Sequence, residues 1–151
     1  MIVSLRKLTK EAIYHYGYAL RTDWVLDNIS MVVIVATQVW WTWRVEDVFA
    51  KVKAGDALAM KKELVKQSND LNDLVRLIRT PGLPKVNRSK VNTLIIMDVH
   101  ARDIVGRFVR DSILDKKEFE WESQLRFYFD KIKDDLSIKQ CTGVFDYTYE
   151  Y

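Results

Sequence analysis

The stretch that decides the fold is the apolar run from Met31 to Lys53, MVVIVATQVWWTWRVEDVFAKVK. Apolar side chains recur along it at intervals of three and four residues, which is the spacing of one face of a helix. Two rows lie side by side: Ile34, Trp41, Val45, Val48 and Val52, completed by Gln38, and Val33, Ala36, Trp40 and Trp43. The run therefore predicts a long helix that is buried on more than one side.

A tight turn and a second helix follow this run. Gly55 can adopt the left-handed conformation that ends many helices, and Asp56 can cap the next helix. The following segment repeats the helical spacing with Met60, Leu64, Gln67, Leu71, Leu74 and Ile78. Two such seams joined by a short turn predict an antiparallel helical hairpin.

Three further helices are predicted. Residues Ser4 to Tyr18 favour a helix whose inward face carries Leu5, Leu8, Ala12 and Tyr16. After the Pro81-Gly82-Leu83-Pro84 loop, another stripe contains Leu94, Met97, Ala101, Ile104 and Phe108. Asp115 and Glu118 resemble a capping box, which predicts a short helix from Lys116 to Phe129.

From Leu136 onward the apolar period changes from helical to two. Residues Leu136 to Cys141 and Val144 to Tyr151 flank Thr142-Gly143, which predicts a β-hairpin. The fold class is therefore mainly α: an antiparallel helical bundle with long amphipathic helices, followed by a short C-terminal β-hairpin or strand pair. One strand face carries Phe145, Tyr147, Tyr149 and Tyr151, and such an edge needs a covering surface. We expect a fragment of a larger chain, with a strand covered by dimerisation as the alternative.

Composition narrows the function classes. The chain has 151 residues, 48% of them hydrophobic and 30% charged, which is typical of a folded helical domain. A single cysteine excludes an internal disulfide. The basic run from Arg76 to Lys90 surrounds a proline-rich loop and accompanies no nucleic-acid-binding motif, so we expect a solvated loop and no nucleic-acid partner. The most apolar stretch, Ile29 to Trp41, is too short to span a bilayer, so we expect a soluble intracellular protein and no membrane partner.

The best candidate for chemistry is the segment MDVHARD, residues 97–103. His100 and Asp103 lie three residues apart on one helix face, and the spacing predicts an ion pair between Asp98 and Arg102. A metal site needs three or four ligands, but the other histidine, His15, and the lone cysteine, Cys141, lie in different elements. We expect an exposed ion-pair face, and a metal hydrolase built on His100 and Asp103 serves only for comparison.

Nucleotide and other ligand sites have no clear candidates either. Neither a G-x-x-x-x-G-K-[ST] loop nor a G-x-G-x-x-G motif occurs, so the chain should not bind ATP by itself. Trp40, Trp41 and Trp43 lie on an apolar helix, which favours core or interface packing over a ligand platform. Cys141 has no histidine near it in sequence and is expected to pack. We therefore assign no catalytic, cofactor-binding or metal residue.

Four segments resemble dynein heavy chains and occur in that family's order between about Asp23 and Tyr151. They are Gln38 to Val48 (QVWWTWRVEDV), Leu94 to Val105 (LIIMDVHARDIV), Phe119 to Tyr128 (FEWESQLRFY) and Cys141 to Tyr151 (CTGVFDYTYEY). The tryptophan-rich first segment is similar to axonemal members. The resemblance implies that residues 1–130 form the C-terminal helical part of the linker, and that residues 131–151 form the β-strand junction into the first AAA+ module.

The same resemblance implies a mechanical lever that couples ATP hydrolysis in a downstream AAA+ ring to microtubule-based movement, without catalysis by this fragment. It implies as partners the AAA+ ring of the same heavy chain, microtubules and other dynein subunits. ATP and Mg would belong to the parent motor, and the location would be the cytoplasm, the cytoskeleton and the axoneme of a cilium or flagellum. The residues alone leave a second function open, a stand-alone helical adaptor or scaffold that binds partner helices through the same seams.

Overall fold

The computed structural model describes residues 2–116, 118–130, 135–140 and 143–146. These residues form six helices followed by a three-stranded sheet. The helices are α1 (Ile2–Tyr16), α2 (Arg21–Asp27), α3 (Ser30–Lys53), α4 (Ala59–Ile78), α5 (Lys85–Arg110) and α6 (Phe119–Glu122), and the strands are β1 (Arg126–Asp130), β2 (Asp135–Gln140) and β3 (Gly143–Asp146). The predicted fold class, mainly α with strands at the C-terminal end, is confirmed.

Helix α3 is the central element of the molecule. It contacts α1, α4, α5 and strand β1, so its apolar circumference is covered from several directions. Its buried residues include Val33, Val45 and Val48. The two predicted rows explain this burial, because they lie on adjoining faces of the helix. The prediction of a helix buried on more than one side is confirmed.

The turn after α3 has the predicted left-handed glycine. Gly55 has φ of 113°, and no neighbouring atom lies within 4 Å of the position that a Cβ would take, so only its backbone conformation demands glycine. Its N–H donates to the Val52 carbonyl at 3.0 Å, and the Asp56 N–H donates to the Lys51 carbonyl at 2.9 Å, which completes a Schellman motif. Asp56 Oδ1 accepts from the Leu58 N–H at 3.2 Å. The prediction that Asp56 caps α4 is wrong by two residues, because a turn closed by the Ala59 N–H and the Asp56 carbonyl at 3.3 Å precedes the helix and makes Leu58 its N-cap.

Helices α3, α4 and α5 run antiparallel to their neighbours in sequence. Near the α3–α4 turn, Val48 and Met60 share one buried cluster, and at the opposite end Val33 and Leu74 share the other. Leu64 of α4 lies beside Gly106 of α5, far from the loop that joins these helices. The predicted seam of α4 is confirmed, because Met60, Gln67, Leu71 and Leu74 are buried and Leu64 and Ile78 are half-buried.

Two cations from the basic run cap helix ends. Arg88 donates to the Ile78 carbonyl at the end of α4. Lys90 is only 8% exposed, and its Nζ donates to the carbonyls of Val25 at 3.0 Å and Asn28 at 2.6 Å at the end of α2. The prediction of a solvated basic loop is therefore wrong for Lys90, because the free carbonyls of a helix C-terminus attract an ammonium group. Burial lowers the pKa of Lys90 by disfavouring its charged form.

The predicted helix from Lys116 to Phe129 is wrong in its second half. Helix α6 is a single turn, and strand β1 begins at Arg126. The apolar spacing of this segment fits a helix, but the backbone of β1 pairs with β2 along its whole length, with Phe127 opposite Ile138 and Phe129 opposite Leu136. Non-local pairing of an aromatic strand thus overrides the local helical pattern.

The predicted hairpin is present in the residues that the structure describes. Strands β2 and β3 are antiparallel, with Gln140 opposite Gly143, so a two-residue connection joins them. The sheet order is β1-β2-β3, which adds one strand to the predicted pair. Cys141 and the last three tyrosines lie outside the described residues. Within the described ranges, none of the helices is both long and apolar enough to cross a bilayer.

Candidate functional site: the helix–sheet junction

The sheet is held against α3 by two polar side chains one helical turn apart. Thr42 is fully buried, and its Oγ1 accepts a hydrogen bond from the Phe127 N–H at 3.1 Å. Glu46 Oε2 accepts from Trp121 Nε1 at 3.2 Å and from the hydroxyl of Tyr128. Because residues four apart share a helix face, α3 presents both acceptors to the same side. We call Thr42, Glu46, Trp121, Phe127 and Tyr128 the junction.

The electrostatics of the junction keep Tyr128 protonated. Burial raises the pKa of the phenol, and the hydrogen bond to Glu46 and the negative charge of that carboxylate raise it further. Two cations lie beside the ring: the Lys139 ammonium is 4.8 Å from its centroid, and Arg126 Nη1 donates to the hydroxyl at 3.3 Å. Arg126 lowers the pKa of the phenol, but burial and Glu46 outweigh it. A neutral phenol that donates to a carboxylate is the stable arrangement here.

Trp121 anchors the other side of the junction in the core. Its side chain is completely buried, and its ring centroid lies 5.3 Å from that of Trp41, 5.8 Å from that of Phe49 and 6.1 Å from that of Phe108. These tilted and edge-on geometries are the favourable ones for aromatic pairs. The short helix α6 is thus fixed to both α3 and α5 immediately before the chain enters the sheet.

A second set of aromatic contacts joins α1, α3 and β1. Tyr14 meets Phe129 edge-on at 6.1 Å, and Trp40 Nε1 donates to the Ile13 carbonyl at 2.7 Å. The prediction of packing holds for Trp40 and Trp41, whereas Trp43 is 58% exposed and touches Trp40 edge-on at 5.5 Å. A groove of about 300 Å³ lies beside these rings, lined by Tyr14, Trp40, Trp43, Phe127 and Phe129 among others.

The residues considered for chemistry do not converge. His100 is exposed. The predicted pair of Asp98 with Arg102 is wrong, because Asp98 accepts two hydrogen bonds from Arg21, at 2.6 and 2.9 Å, while Arg102 lies 3.3 Å from Asp103. Asp98 faces the bundle interior, where a bidentate guanidinium from another helix is available. The described part of the chain contains no group of three or more His, Cys, Asp or Glu side chains placed to hold a metal ion.

Buried ion pairs were missed by reasoning from the sequence. Arg44 lies 2.8 Å from Glu63 and 3.6 Å from Asp70, and Gln67 donates to Glu63 at 3.0 Å. Burial disfavours the charged form of Arg21, but the Asp98 carboxylate, together with Tyr16 and Asp70, more than offsets this and raises the pKa of Arg21. A signal was present in the sequence, because Arg44 is the first charged residue of α3, after the uncharged run from Ser30 to Trp43.

Comparison with known proteins identifies the family. No family model matches the chain. It is 54% identical over 147 residues to human "Dynein axonemal heavy chain 10", an alignment that covers 97% of this chain and 3% of that protein. It is 51% identical over 148 residues to "Dynein-1-alpha heavy chain, flagellar inner arm I1 complex" of Chlamydomonas reinhardtii, with 98% and 3% coverage.

The chain belongs to the axonemal dynein heavy-chain family. Mouse "Dynein axonemal heavy chain 1" is more distant, at 36% identity over 151 residues, but it aligns with all of this chain. The chain spans about 3% of the length of each of these dynein relatives. The resemblance stated from four short segments is thereby confirmed at the level of the family.

Proposed function

We propose that this dynein segment is a stiff part of the motor's mechanical linker, and that the junction carries force from the linker into the AAA+ ring. In this proposal residues 1–130 form the linker part, and residues 131–151 form the connection to the first AAA+ module. The observation that carries it is that β1, at the end of the first part, pairs with β2, in the second, while Thr42 and Glu46 bind β1 to α3.

A lever transmits displacement only if its elements cannot slip past one another. Helix α3 has 24 residues and is therefore roughly 36 Å long at about 1.5 Å per residue. It is packed by α1, α4, α5 and β1, and the α4 and α5 hairpin braces it along its length. Hydrogen bonds join α3 directly to β1, and strand pairing then joins β1 to β2 and β2 to β3. This continuity supports a rigid mechanical role.

The parent protein is proposed to be an ATP-driven motor that moves on microtubules. Names of its relatives contain the words axonemal, flagellar and ciliary, so we propose the cytoskeleton of cilia or flagella as its location. Its partners would be the AAA+ ring of the same heavy chain, microtubules and other dynein subunits.

The residues of this segment do not fit ATP or Mg²⁺. The buried guanidinium groups of Arg21 and Arg44 are engaged by Asp98 and Glu63, and no glycine-rich phosphate loop occurs in the sequence. We accordingly propose that nucleotide chemistry belongs to the ring and that the segment itself is non-catalytic.

A length change in the connection tests this proposal. About ten Gly/Ser residues are inserted after Asp146, the last residue of β3, in a complete heavy chain, since such a spacer behaves as a flexible coil that the β1–β2 and β2–β3 pairings do not bridge. ATP turnover should remain largely intact while microtubule gliding collapses. The matched control is the same insertion after Gly82, in the exposed loop between α4 and α5, which lies off the path from α3 to β3.

Two outcomes would contradict the lever function. Normal gliding with the insertion after Asp146 would show that force does not cross this segment. Equal loss of ATP turnover and gliding would show that the segment helps to build the nucleotide site itself.

The alternative, a helical adaptor, is favoured by one observation, the exposed Trp43 beside the 300 Å³ groove. An adaptor would bind partner helices through such an apolar face. It predicts that Trp43→Ser abolishes partner binding by the 151-residue chain without altering its circular dichroism. The lever function predicts that Trp43→Ser leaves unchanged the hydrogen bonds by which Thr42 and Glu46 hold β1 against α3.

A further inference from the structure

A small cavity with both polar and apolar lining lies between the two hydrophobic clusters. Its volume is about 30 Å³, and its walls come from α3, α4 and α5, together with Arg21 of α2 and Tyr16 of α1. Five side-chain atoms in this wall are buried and have no hydrogen-bond partner among the described residues. They are Arg21 Nε, Thr37 Oγ1, Trp41 Nε1, Arg44 Nη2 and Gln67 Oε1.

This concentration of unpaired groups requires a shared partner. Buried polar groups in folded proteins almost always have a hydrogen-bond partner, which is protein or ordered water. Here every side-chain atom found buried and unpaired in the described part of the chain belongs to a residue that lines one cavity. Arg44 Nη2 lies 2.8 Å from Glu63 Oε1, but that contact is an ion pair without hydrogen-bond alignment.

The chemistry of the five atoms specifies a partner that both donates and accepts. The N–H groups of Arg21, Trp41 and Arg44 can only donate, whereas Gln67 Oε1 can only accept. The Thr37 hydroxyl does both. An inorganic anion could satisfy the donors but would repel the acceptor, and a metal cation would do the reverse.

Charge and size exclude larger or charged occupants. The guanidinium groups of Arg21 and Arg44 in the wall are balanced by the carboxylates of Asp70 and Asp98. A water molecule needs about 10–15 Å³ of such volume, so 30 Å³ accommodates one or two waters.

We propose that this cavity is a built site for one or two ordered water molecules that bridge α2, α3 and α4. Helix α2 contributes the unpaired atom of Arg21, and α4 contributes that of Gln67. The other three atoms, those of Thr37, Trp41 and Arg44, belong to α3. The waters act as a structural ligand of the bundle core, holding the helices together where the apolar clusters are interrupted. This inference does not depend on the proposed motor function.

The test uses the indole N–H groups of the 151-residue chain, labelled with ¹⁵N-tryptophan. Magnetisation transfer from water should reach Trp41 with the sign of a long-lived bound water. Two internal references are available, because Trp24 is buried with its N–H donated to the Ala12 carbonyl at 3.0 Å, and Trp43 is exposed. Trp24 should show no transfer, and Trp43 should show the sign of rapidly exchanging surface water. A Trp41 signal that matches Trp24 would overturn the proposal.

A matched pair of variants locates the water. Thr37→Val removes one wall hydroxyl without changing the size of the side chain, and should at least halve the transfer to Trp41. Thr42→Val removes the next buried hydroxyl on α3, which serves Phe127 instead, and should leave that transfer unchanged. Equal signals in both variants would show that Thr37 does not hold the water.

A second measurement applies to the complete heavy chain and does not require the segment to fold alone. In a density map that resolves other buried waters, one or two peaks should lie within hydrogen-bond distance of Thr37 Oγ1 and Gln67 Oε1. A map that resolves such waters elsewhere but shows no peak in this cavity would overturn the proposal.

Discussion

The hydroxyl of Tyr128 in β1 donates a hydrogen bond to the carboxylate of Glu46, which lies in the C-terminal half of α3. The two residues are 82 positions apart in sequence, so this bond closes the bundle onto the sheet. Glu46 also accepts from Trp121, and one carboxylate therefore fixes both the last helix and the first strand. The position of the sheet depends on a charge-assisted hydrogen bond rather than on the length of the connecting loop.

Tyr128→Phe should destabilise the chain by about 1.5–3 kcal/mol, the usual range for a hydrogen bond to a charged group. The ring contacts are retained, so the loss comes from the hydroxyl and from the partly desolvated carboxylate left behind. Urea denaturation followed by circular dichroism measures it. The control is Tyr18→Phe, at a residue that is 80% exposed, which should change the free energy of unfolding by less than about 0.5 kcal/mol. Equal effects of the two substitutions would contradict the role of the junction.

The raised pKa of Tyr128 predicts a loss of stability in alkali. The ordinary pKa of tyrosine is 10.0, and that of Tyr128 in the folded chain is higher. As the pH rises above 10, the unfolded chain loses this proton first, so the folded state becomes progressively less stable until the folded pKa is passed. Urea unfolding between about pH 9 and about pH 11 should show a steeper decline for the parent chain than for Tyr128→Phe. Parallel curves would show that the pKa of this phenol does not change on folding.

The sequence was sufficient for the long helices of the bundle but not for the short helix α2 or for the junction. The rows of α3 and the seam of α4 are predictable because a buried helix face requires apolar residues every three or four positions. Gly55 is predictable because the turn needs a positive φ, which favours glycine whatever surrounds it. The strand β1 could not be predicted, because the residues that select it, Thr42 and Leu136, lie outside its own local sequence. Local spacing similarly suggested Arg102 as the partner of Asp98, whereas Arg21 reaches it from 77 residues away.

Gly55→Val should cost more than about 1–2 kcal/mol, since a β-branched residue is strained at φ of 113°. The cost is purely conformational, because no atom lies within 4 Å of the new Cβ. Asp56→Ala should cost no more than about 1 kcal/mol, because the lost acceptor of the Leu58 N–H is exposed and Asp56 lies two residues before the N-cap of α4. The control is Gly106→Ala, where the nearest atom, Leu64 Cδ1, is at 3.9 Å; this change should be neutral or stabilise α5 by up to about 1 kcal/mol. Denaturant melts in which Gly55→Val is neutral would contradict the Schellman turn.

Lys90→Met should destabilise the chain by about 1–3 kcal/mol, because it leaves carbonyls at the end of α2 without their donor. The apolar stem of the side chain is preserved, so packing changes little. Lys85→Met, at the exposed first residue of α5, is the control and should fall within about 0.5 kcal/mol of the parent chain. If both changes are neutral in urea melts, water replaces the ammonium group at the end of α2.

The last prediction separates force transmission from catalysis in a complete heavy chain. Glu46→Ala removes the acceptor of both Trp121 and Tyr128, so β1 loses its hydrogen bond to this carboxylate and keeps the one to Thr42. If force passes from α3 into the sheet at this point, gliding velocity should fall while ATP turnover is retained. The matched control is Asp47→Ala, because the neighbouring carboxylate is 37% exposed and pairs within its own helix, with Lys51 at 3.2 Å. Paired ATPase and gliding assays on the same preparations measure both effects. Equal gliding by the two variants would place force transmission elsewhere, and equal loss of ATP turnover and gliding in Glu46→Ala would indicate a general defect in folding instead of a mechanical one.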